Sequence, residues 1–263
     1  MKYYVMSDIH GEYRALMDAL DSIEFNPSKS KLVFLGDYVD RGPDSFKVLN
    51  KIKELQDEYP NNVVALLGNH DEMFFDWIDG KSFNHLYNDP KGATINSFWG
   101  AAKRRGILFV STENVPTVRL VKFAPFEVSD DDYQLEAVDE IKKHKELLQW
   151  YRNLPLYYQV DDVVFVHAGL DEEEEDWKNT SRQTMIWKYP AQMGKTPWGI
   201  KVVAGHIMTK EIWEDENRHS IFKDGDHIYI DGAAPITKKL NILVYDDETG
   251  HFFDKDNNEI GPS

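Results

Sequence analysis

Gly36-Asp37-Tyr38-Val39-Asp40-Arg41-Gly42 is the stretch of this chain that decides how the rest is read. It follows the apolar run 31–35 (KLVFL) and precedes a helical pattern, so it occupies a strand-to-helix turn. Two carboxylates and a guanidinium crowd that turn, directly after a buried strand. Charges so placed need partners, because an isolated buried charge is costly. A hard cation would suit Asp37, a histidine would suit Asp40, and an oxyanion would suit Arg41. Alone, the stretch reads equally well as a polar turn with a local Asp–Arg pair. Its neighbours decide the matter.

On the N-terminal side, residues 3–6 form a short apolar strand ending in SDIHG (7–11). A helix is predicted over 12–23, with Ala15, Leu16, Ala19, Leu20 and Ile23 on one face. On the C-terminal side, Pro43 and Asp44 open a second helix carrying Val48, Leu49, Ile52, Leu55 and Tyr59. Residues 60–62 stop it, and the strand 63–67 runs into GNHDE (68–72). Two consecutive βαβ units predict a parallel sheet. Residues 72 to about 155 read as mostly helical, a cap placed between two halves of the fold. Within them Met73, Phe74, Trp77 and Ile78 suit an amphipathic helix, 94–99 (TINSFW) is ambiguous, and 131–153 gives a good but interrupted helical face stopped by Pro155. The second half is strand-rich: 163–166 leads into HAGL (167–170), 202–204 into Gly205-His206, and 228–230 into Asp231-Gly232. Residues 241–245 and 251–253 form a terminal hairpin around Glu248-Thr249-Gly250. The acidic run 171–176 reads first as a solvated loop, and second as a device repelling unwanted anions.

At 263 residues the chain is long enough for one α/β domain, expected here over 1–263. No apolar run approaches the roughly 18 residues of a membrane span, and the N-terminus does not read as a secretory leader. Cysteine is absent, which excludes disulfides and thiolate metal sites and is compatible with a cytoplasmic home. A net charge of −16 is ill suited to gripping a long polyphosphate backbone. An anionic substrate would therefore need local positive charge, from metals or a few arginines. Oligomeric state is not legible.

The polar residues fall in a pattern. Asp8 with His10, Asp37, Asn69 with His70, His167, and His206 each stand just past the end of an apolar strand. In α/β sheets that edge is where sites assemble. One such histidine would be read as a core residue; five strand ends delivering Asp, Asn or His would not be. Oxygen and imidazole donors without sulfur suit two ions of the manganese, iron or zinc kind. Asp37, central among the motifs, is the natural bridging carboxylate for ions about 3.5–4 Å apart.

SDIHG, GDYVDRG, GNHD, HAGL and Gly205-His206, in this order, resemble the calcineurin-type metallophosphoesterase superfamily over residues 3–232. The long form GDYVDRG with HAGL is similar to its phosphoprotein phosphatase branch. Bacterial and phage Ser/Thr phosphatases and diadenosine tetraphosphate hydrolases are the nearest types. The resemblance implies an α/β fold of two mixed β-sheets flanked by helices, a four-layer αββα sandwich, with a helical insertion at about 72–155. It implies that Asp8, His10 and Asp37 hold one metal and that Asp37, Asn69, His167 and His206 hold the other. A hydroxide bridging the ions would attack phosphorus. His70 would protonate the leaving oxygen, Asp40 would orient His70, and Arg41 with Asn69 would bind the phosphate. Gly36, Gly42, Gly68 and Gly205 fit turns of positive φ or close approach.

The expected activity is hydrolysis of phosphate monoesters by a manganese-loaded Ser/Thr protein phosphatase, with iron or zinc as other metals. The expected substrate is a phosphoprotein or a small phosphoester, not a long nucleic acid or a membrane. The alternative is a symmetrical bis(5'-nucleosyl)-tetraphosphatase, for which Phe98 and Trp99 could cover a base, although core packing suits them better. A non-catalytic metal-binding scaffold is a minor third reading. Some positions depart from the family pattern. Ser7 stands where glycine is usual, a change expected to affect the turn and no ligand, and Asp71 replaces glutamate. The late motif reads GHIMT (205–209), and Asp231-Gly232 replaces Asp-Thr-Gly. After Trp187, Lys188 and Tyr189 stand where a second phosphate-binding arginine is usual, with Arg182 as another substitute.

Overall fold

Strand β1 (Lys2–Met6), helix α1 (Tyr13–Asp21), β2 (Ser30–Phe34), α2 (Ser45–Glu58) and β3 (Val63–Ala65) repeat the predicted strand–helix alternation. The computed structural model describes residues 1–82, 84–89, 92–99, 108–112, 115–119 and 130–261. The stretch after β3 holds α3 (Asn69–Ile78), α4 (Asn84–Asn88), α5 (Ala93–Phe98), strands β4 (Leu108–Thr112) and β5 (Val115–Arg119), α6 (Asp130–Lys142) and α7 (Lys145–Arg152). Strands β6 (Tyr157–Val160) and β7 (Val163–Val166) follow, then α8 (Arg182–Trp187), β8 (Lys201–Ala204) and α9 (Thr209–Ile212). The chain continues through β9 (Phe222–Asp224), β10 (His227–Tyr229), α10 (Ala234–Thr237), β11 (Leu243–Asp246) and β12 (His251–Asp254).

These strands make two five-stranded sheets, in the orders β12-β11-β1-β2-β3 and β6-β7-β8-β10-β9. In the first, β1, β2 and β3 run parallel, with Met6 opposite Phe34 and Phe34 opposite Ala65. Their C-terminal ends therefore come level at one edge. In the second, β7, β8 and β10 are parallel, while β6 and β9 are antiparallel edge strands.

Alternation along each strand sorts the two faces. Tyr3, Val5, Val33 and Leu35 point between the sheets, against Phe165, Val203 and Ile228. Met6, Leu32 and Phe34 point outward, against Leu16 of α1 and Val48, Leu49 and Ile52 of α2. On the far side Val164, Val166 and Val202 meet Met185 and Ile186 of α8. The layers are helix, sheet, sheet, helix, as the sandwich expected from the sequence requires.

Besides its helices, the stretch 72–155 holds a feature not foreseen: β4 and β5 pair as an antiparallel hairpin in register Leu108 to Arg119. Two runs containing β-branched residues (LFVST and VPTVR), two residues apart, carried that signal. The interrupted helical face over 131–153 is two helices, α6 and α7, with the break after Lys142. Residues 94–99 resolve mostly as α5, and Phe98 and Trp99 are buried core residues rather than a cover for a base. The edge strands β6 and β9 were not foreseen, being short and of mixed polarity. Among the described residues no helix is long and apolar enough to cross a membrane.

Candidate metal centre

The level strand ends deliver their polar residues into turns that hold one another. Asp8 N–H donates to Gly36 O (3.1 Å), His10 N–H to Asp37 O (2.9 Å), Gly42 N–H to His10 O (2.9 Å), and Gly205 N–H to His167 O (2.8 Å). Six site residues adopt left-handed backbone: Asp8 (φ 55°), His10 (46°), Asp37 (58°), Asp40 (72°), Arg41 (68°) and His206 (64°). Such a conformation costs an L-residue roughly 1–2 kcal/mol, and Asp and His tolerate it better than most. The cross-bonds between turns hold these conformations in place. Two glycines permit the closeness. A Cβ on Gly68 would lie 2.2 Å from Asp37 Oδ1, and one on Gly205 would lie 2.1 Å from Asp8 Oδ2.

Asp37 stands between two groups of donors. Its Oδ2 faces His10 Nε2 at 3.6 Å and His70 Nε2 at 4.0 Å, and its Oδ1 faces His167 Nε2 at 3.5 Å. His10 Nε2 is also 3.9 Å from Asp8 Oδ1. Asn69 Oδ1 lies 2.8 Å from His167 Nε2 and 3.0 Å from His206 Nδ1. His10 Nδ1–H donates to Val39 O (2.8 Å) and His167 Nδ1–H to Leu35 O (2.9 Å). With those protons fixed, each neutral ring turns a bare Nε2 lone pair toward carboxylate or amide oxygens.

Lone pairs converging on lone pairs call for a cation. Asp8 adds to this: its Oδ2 accepts from Ser7 Oγ and from His206 N–H (3.0 Å), while its buried Oδ1 has no hydrogen-bond partner. An orphan carboxylate oxygen away from water is costly. Burial pushes the Asp37 carboxyl well above its usual range and His10 well below its own. Burial and the neighbouring His167 bring His206 down to about 3. Asp231, pushed well up by burial and by Asp8, belongs to the same field. A divalent ion would reverse the tendency of the carboxyls and reinforce that of the imidazoles, holding the first ionised and the second neutral, the forms that ligate. The donor set fits two divalent metals.

On the other side of Asp37, His70 Nδ1 is 2.7 Å from Asp40 Oδ2. Burial works against protonation of His70, but the charge of Asp37 and the hydrogen bond to Asp40 prevail and raise it. Burial would raise Asp40, yet His85 and His70 hold it well below the usual carboxylate range. Arg41 is exposed, with one guanidinium nitrogen 3.2 Å from His70 Nε2.

Sequence reasoning gave no role to Asp71, which staples two of the motifs together. Its Oδ2 accepts from Asp37 N–H (2.9 Å) and Gly68 N–H (2.8 Å), and its Oδ1 from Tyr38 N–H (3.0 Å) and the Tyr151 hydroxyl. Ser7 was expected to touch no ligand candidate, but its hydroxyl bonds Asp8. Arg182 is paired with Glu72 at 2.7 Å, whereas the Lys188 side chain lies against Gly169 of HAGL. In the acidic run, Glu172 lies 3.0 Å from buried His227, while Glu173, Glu175 and Asp176 are exposed.

A family model described as calcineurin-like phosphoesterase matches residues 1–259. A symmetrical bis(5'-nucleosyl)-tetraphosphatase from Nitrosospira multiformis is 44% identical over 170 residues, 65% of this chain and 44% of that protein. The matched part thus spans less than half the length of that relative. A cold-active protein-tyrosine phosphatase from a Shewanella species superposes with a TM-score of 0.61 at 15% identity, over 98% of this chain and 79% of that one. A protein serine/threonine phosphatase from Saccharomyces cerevisiae gives 0.55 at 16% identity, over 93% and 72%. At such identities the two superpositions speak to fold alone.

Proposed function

The chain belongs to the calcineurin-like phosphoesterase family, and from that premise we propose a two-metal phosphohydrolase whose favoured substrate is a dinucleoside polyphosphate. The observation that carries the hydrolase reading is Asp37, one oxygen toward each of two donor groups, with the His70–Asp40 pair beside it. Asp8, His10 and Asp37 would hold one ion, and Asp37, Asn69, His167 and His206 the other. When bound, two such ions supply Lewis-acid stabilisation of the phosphoryl oxygens and water acidic enough to attack near neutral pH. Manganese is the metal we favour, with iron and zinc matching the same donors.

The protein's own groups do the rest. Arg41, exposed beside His70, offers a planar fork to the phosphoryl oxygens, and the Asn69 side chain offers its amide to the same phosphate. His70 hands its Nε2 proton to the leaving oxygen as the P–O bond breaks, while Asp40 holds Nδ1 and so fixes the ring. A positioned acid contributes roughly 10²–10⁴ in rate.

The substrate preference departs from the Ser/Thr phosphatase ranked first on sequence. It is supported by the symmetrical bis(5'-nucleosyl)-tetraphosphatase relative. With Phe98 and Trp99 buried, a base has to be met elsewhere. Tyr189, 68% exposed, follows Lys188 on the loop beside HAGL. A single domain acting in the cytoplasm on a small phosphorylated molecule completes the proposal.

The test is competition between diadenosine tetraphosphate and a phosphoserine peptide, with protein loaded with manganese. A higher kcat/KM for the dinucleotide, with ADP as product, is expected. The opposite ranking overturns the substrate assignment and restores the protein phosphatase. No turnover of these or of an aryl phosphate by metal-loaded protein leaves only the scaffold.

A further inference from the structure

His85 lies outside all five motifs, yet it is fully buried in α4 with Nδ1 only 2.8 Å from Asp40 Oδ1. The other oxygen of Asp40 is the one that meets His70 Nδ1, so this carboxylate stands between two imidazoles. Asp89 closes the row, with Asp40, His85 and Asp89 offering atoms within 4.8 Å of one another. Asp89 is itself held by the N–H groups of Ala93 (2.9 Å) and Thr94 (2.7 Å). Thr94 Oγ1 accepts from Asp40 N–H (2.8 Å) and donates to Asp40 Oδ1 (3.2 Å). The rings of Phe74 and Trp77 wall in the imidazole, with centroids 5.1 and 5.3 Å away.

A metal is the poorer reading of this cluster. Each carboxylate oxygen is already engaged: those of Asp89 accept from the Ala93 and Thr94 N–H groups, and those of Asp40 meet the Thr94 hydroxyl and His70 Nδ1. Neither ring nitrogen makes a well-aligned hydrogen bond, so the link is one of charge and close approach. Consistent with that, burial opposes protonation of His85 but the charge of Asp40 prevails.

We propose that His85 is a positioning residue for phosphoryl transfer: by occupying Oδ1 it fixes the carboxylate plane of Asp40, so that Oδ2 stays aimed at His70. This rests on His70 being the acid. In that step the oxygen of water forms the new bond to phosphorus, and the bond to the leaving oxygen breaks. Its electron pair takes the Nε2 proton of His70, the Nδ1 proton remains shared with Asp40, and the proton shed by the attacking water restores His70 for the next turnover. Without His85, Oδ1 keeps only the Thr94 hydroxyl, and the carboxylate can turn away from His70.

An aim defect penalises substrates that need the proton and spares those that do not. The test compares phenyl phosphate, a poor leaving group, with 4-nitrophenyl phosphate, a good one, on metal-loaded wild type, His85→Gln and His70→Asn. For His85→Gln, turnover of phenyl phosphate falls about tenfold or more, part of the acid's 10²–10⁴. Turnover of 4-nitrophenyl phosphate stays within about twofold, bound metal is unchanged, and adding His85→Gln to His70→Asn has no further effect. An equal fall on both substrates, or none, overturns the proposal. If His70→Asn does not itself separate the two substrates, the acid assignment fails and this proposal with it. If His85→Gln retains the selectivity while His70→Asn loses it, only the role of His85 fails. Should His85→Gln not fold, His85→Leu, which keeps apolar packing against Phe74 and Trp77 and removes the contact with Oδ1, carries the same comparison. A fall confined to phenyl phosphate then supports the positioning role, and an equal fall on both substrates, or none, overturns it.

Discussion

Replacing Asp71 by asparagine isolates the staple between the Asp37 turn and the start of α3. Each carboxylate oxygen accepts twice: Oδ2 from Gly68 and Asp37 N–H, Oδ1 from Tyr38 N–H and the Tyr151 hydroxyl. An asparagine must turn its NH₂ toward one of these pairs. Facing Gly68 and Asp37 it strands two buried N–H groups. Facing Tyr38 and Tyr151 it strands only one, because a hydroxyl can rotate to accept. The second arrangement wins. A stranded buried donor costs about 1–3 kcal/mol, and the remaining bonds lose their charge assistance. A neutral amide is easier to bury than a carboxylate, which offsets part of this and leaves about 2 kcal/mol of destabilisation. The stranded group belongs to Tyr38, next to Asp37, so metal affinity should fall by about 10–100-fold, as for other groups that orient ligands. Urea unfolding of metal-free protein reads the first number, as a lower midpoint at constant slope, and metal titration reads the second. Tyr151→Phe, which removes one donor and strands none, should cost about 1 kcal/mol. A change under about 0.5 kcal/mol for Asp71→Asn, with metal affinity intact, would refute the account.

Three other perturbations have equally definite outcomes. Stripping the metals with a chelator should abolish turnover and lower the melting temperature, since an ion at a thousand times its Kd stabilises by about 4 kcal/mol; an unchanged melting temperature in calorimetry would contradict two occupied sites. His70 titrates above an ordinary histidine, so its acid form persists upward and is lost as pH rises through that raised value. Asp40→Asn removes a cause of the rise, and the alkaline limb of kcat for phenyl phosphate should move to lower pH; a limb that stays put contradicts the link. Gly68→Ala would set a Cβ 2.5 Å from Asp37 N, backbone that cannot yield. It should cost about 1–3 kcal/mol and most of the metal affinity, read by melting and by bound metal, and a fully metallated, stable variant would contradict the close approach.

The sandwich and the gathering of Asp8, Asp37, Asn69, His167 and His206 were legible because each follows an apolar strand, and parallel strands end level. What escaped has physical reasons. Strands β6 and β9 are short edge pieces in which polar residues blur the alternation, so periodicity had little to work with. Asp71 was visible only as the last letter of a motif. Its partner Tyr151 is 80 residues away and sits on a helix whose sequence looks like ordinary core. His85 was harder still. A lone histidine in a five-residue helix reads as packing until Asp40 is found beside it. The glycines were foreseen, but for a mixed reason: Gly36 has φ 107°, whereas Gly68 and Gly205 serve by lacking a side chain. Ser7 shows the reverse error, a turn substitution that proves to touch Asp8.

The stretch between β3 and β6 supplies His85 and Thr94 to Asp40, and Tyr151 to Asp71. On the proposed mechanism it is thus coupled to the proton donor. Most of the candidate metal donors lie outside that segment, so on the proposed mechanism a chimera given a foreign segment there would keep its ions while its proton delivery went out of alignment. Loading and turnover would come apart in such a hybrid. On that mechanism, any change in the segment that moved His85 or Thr94 would also retune the acid.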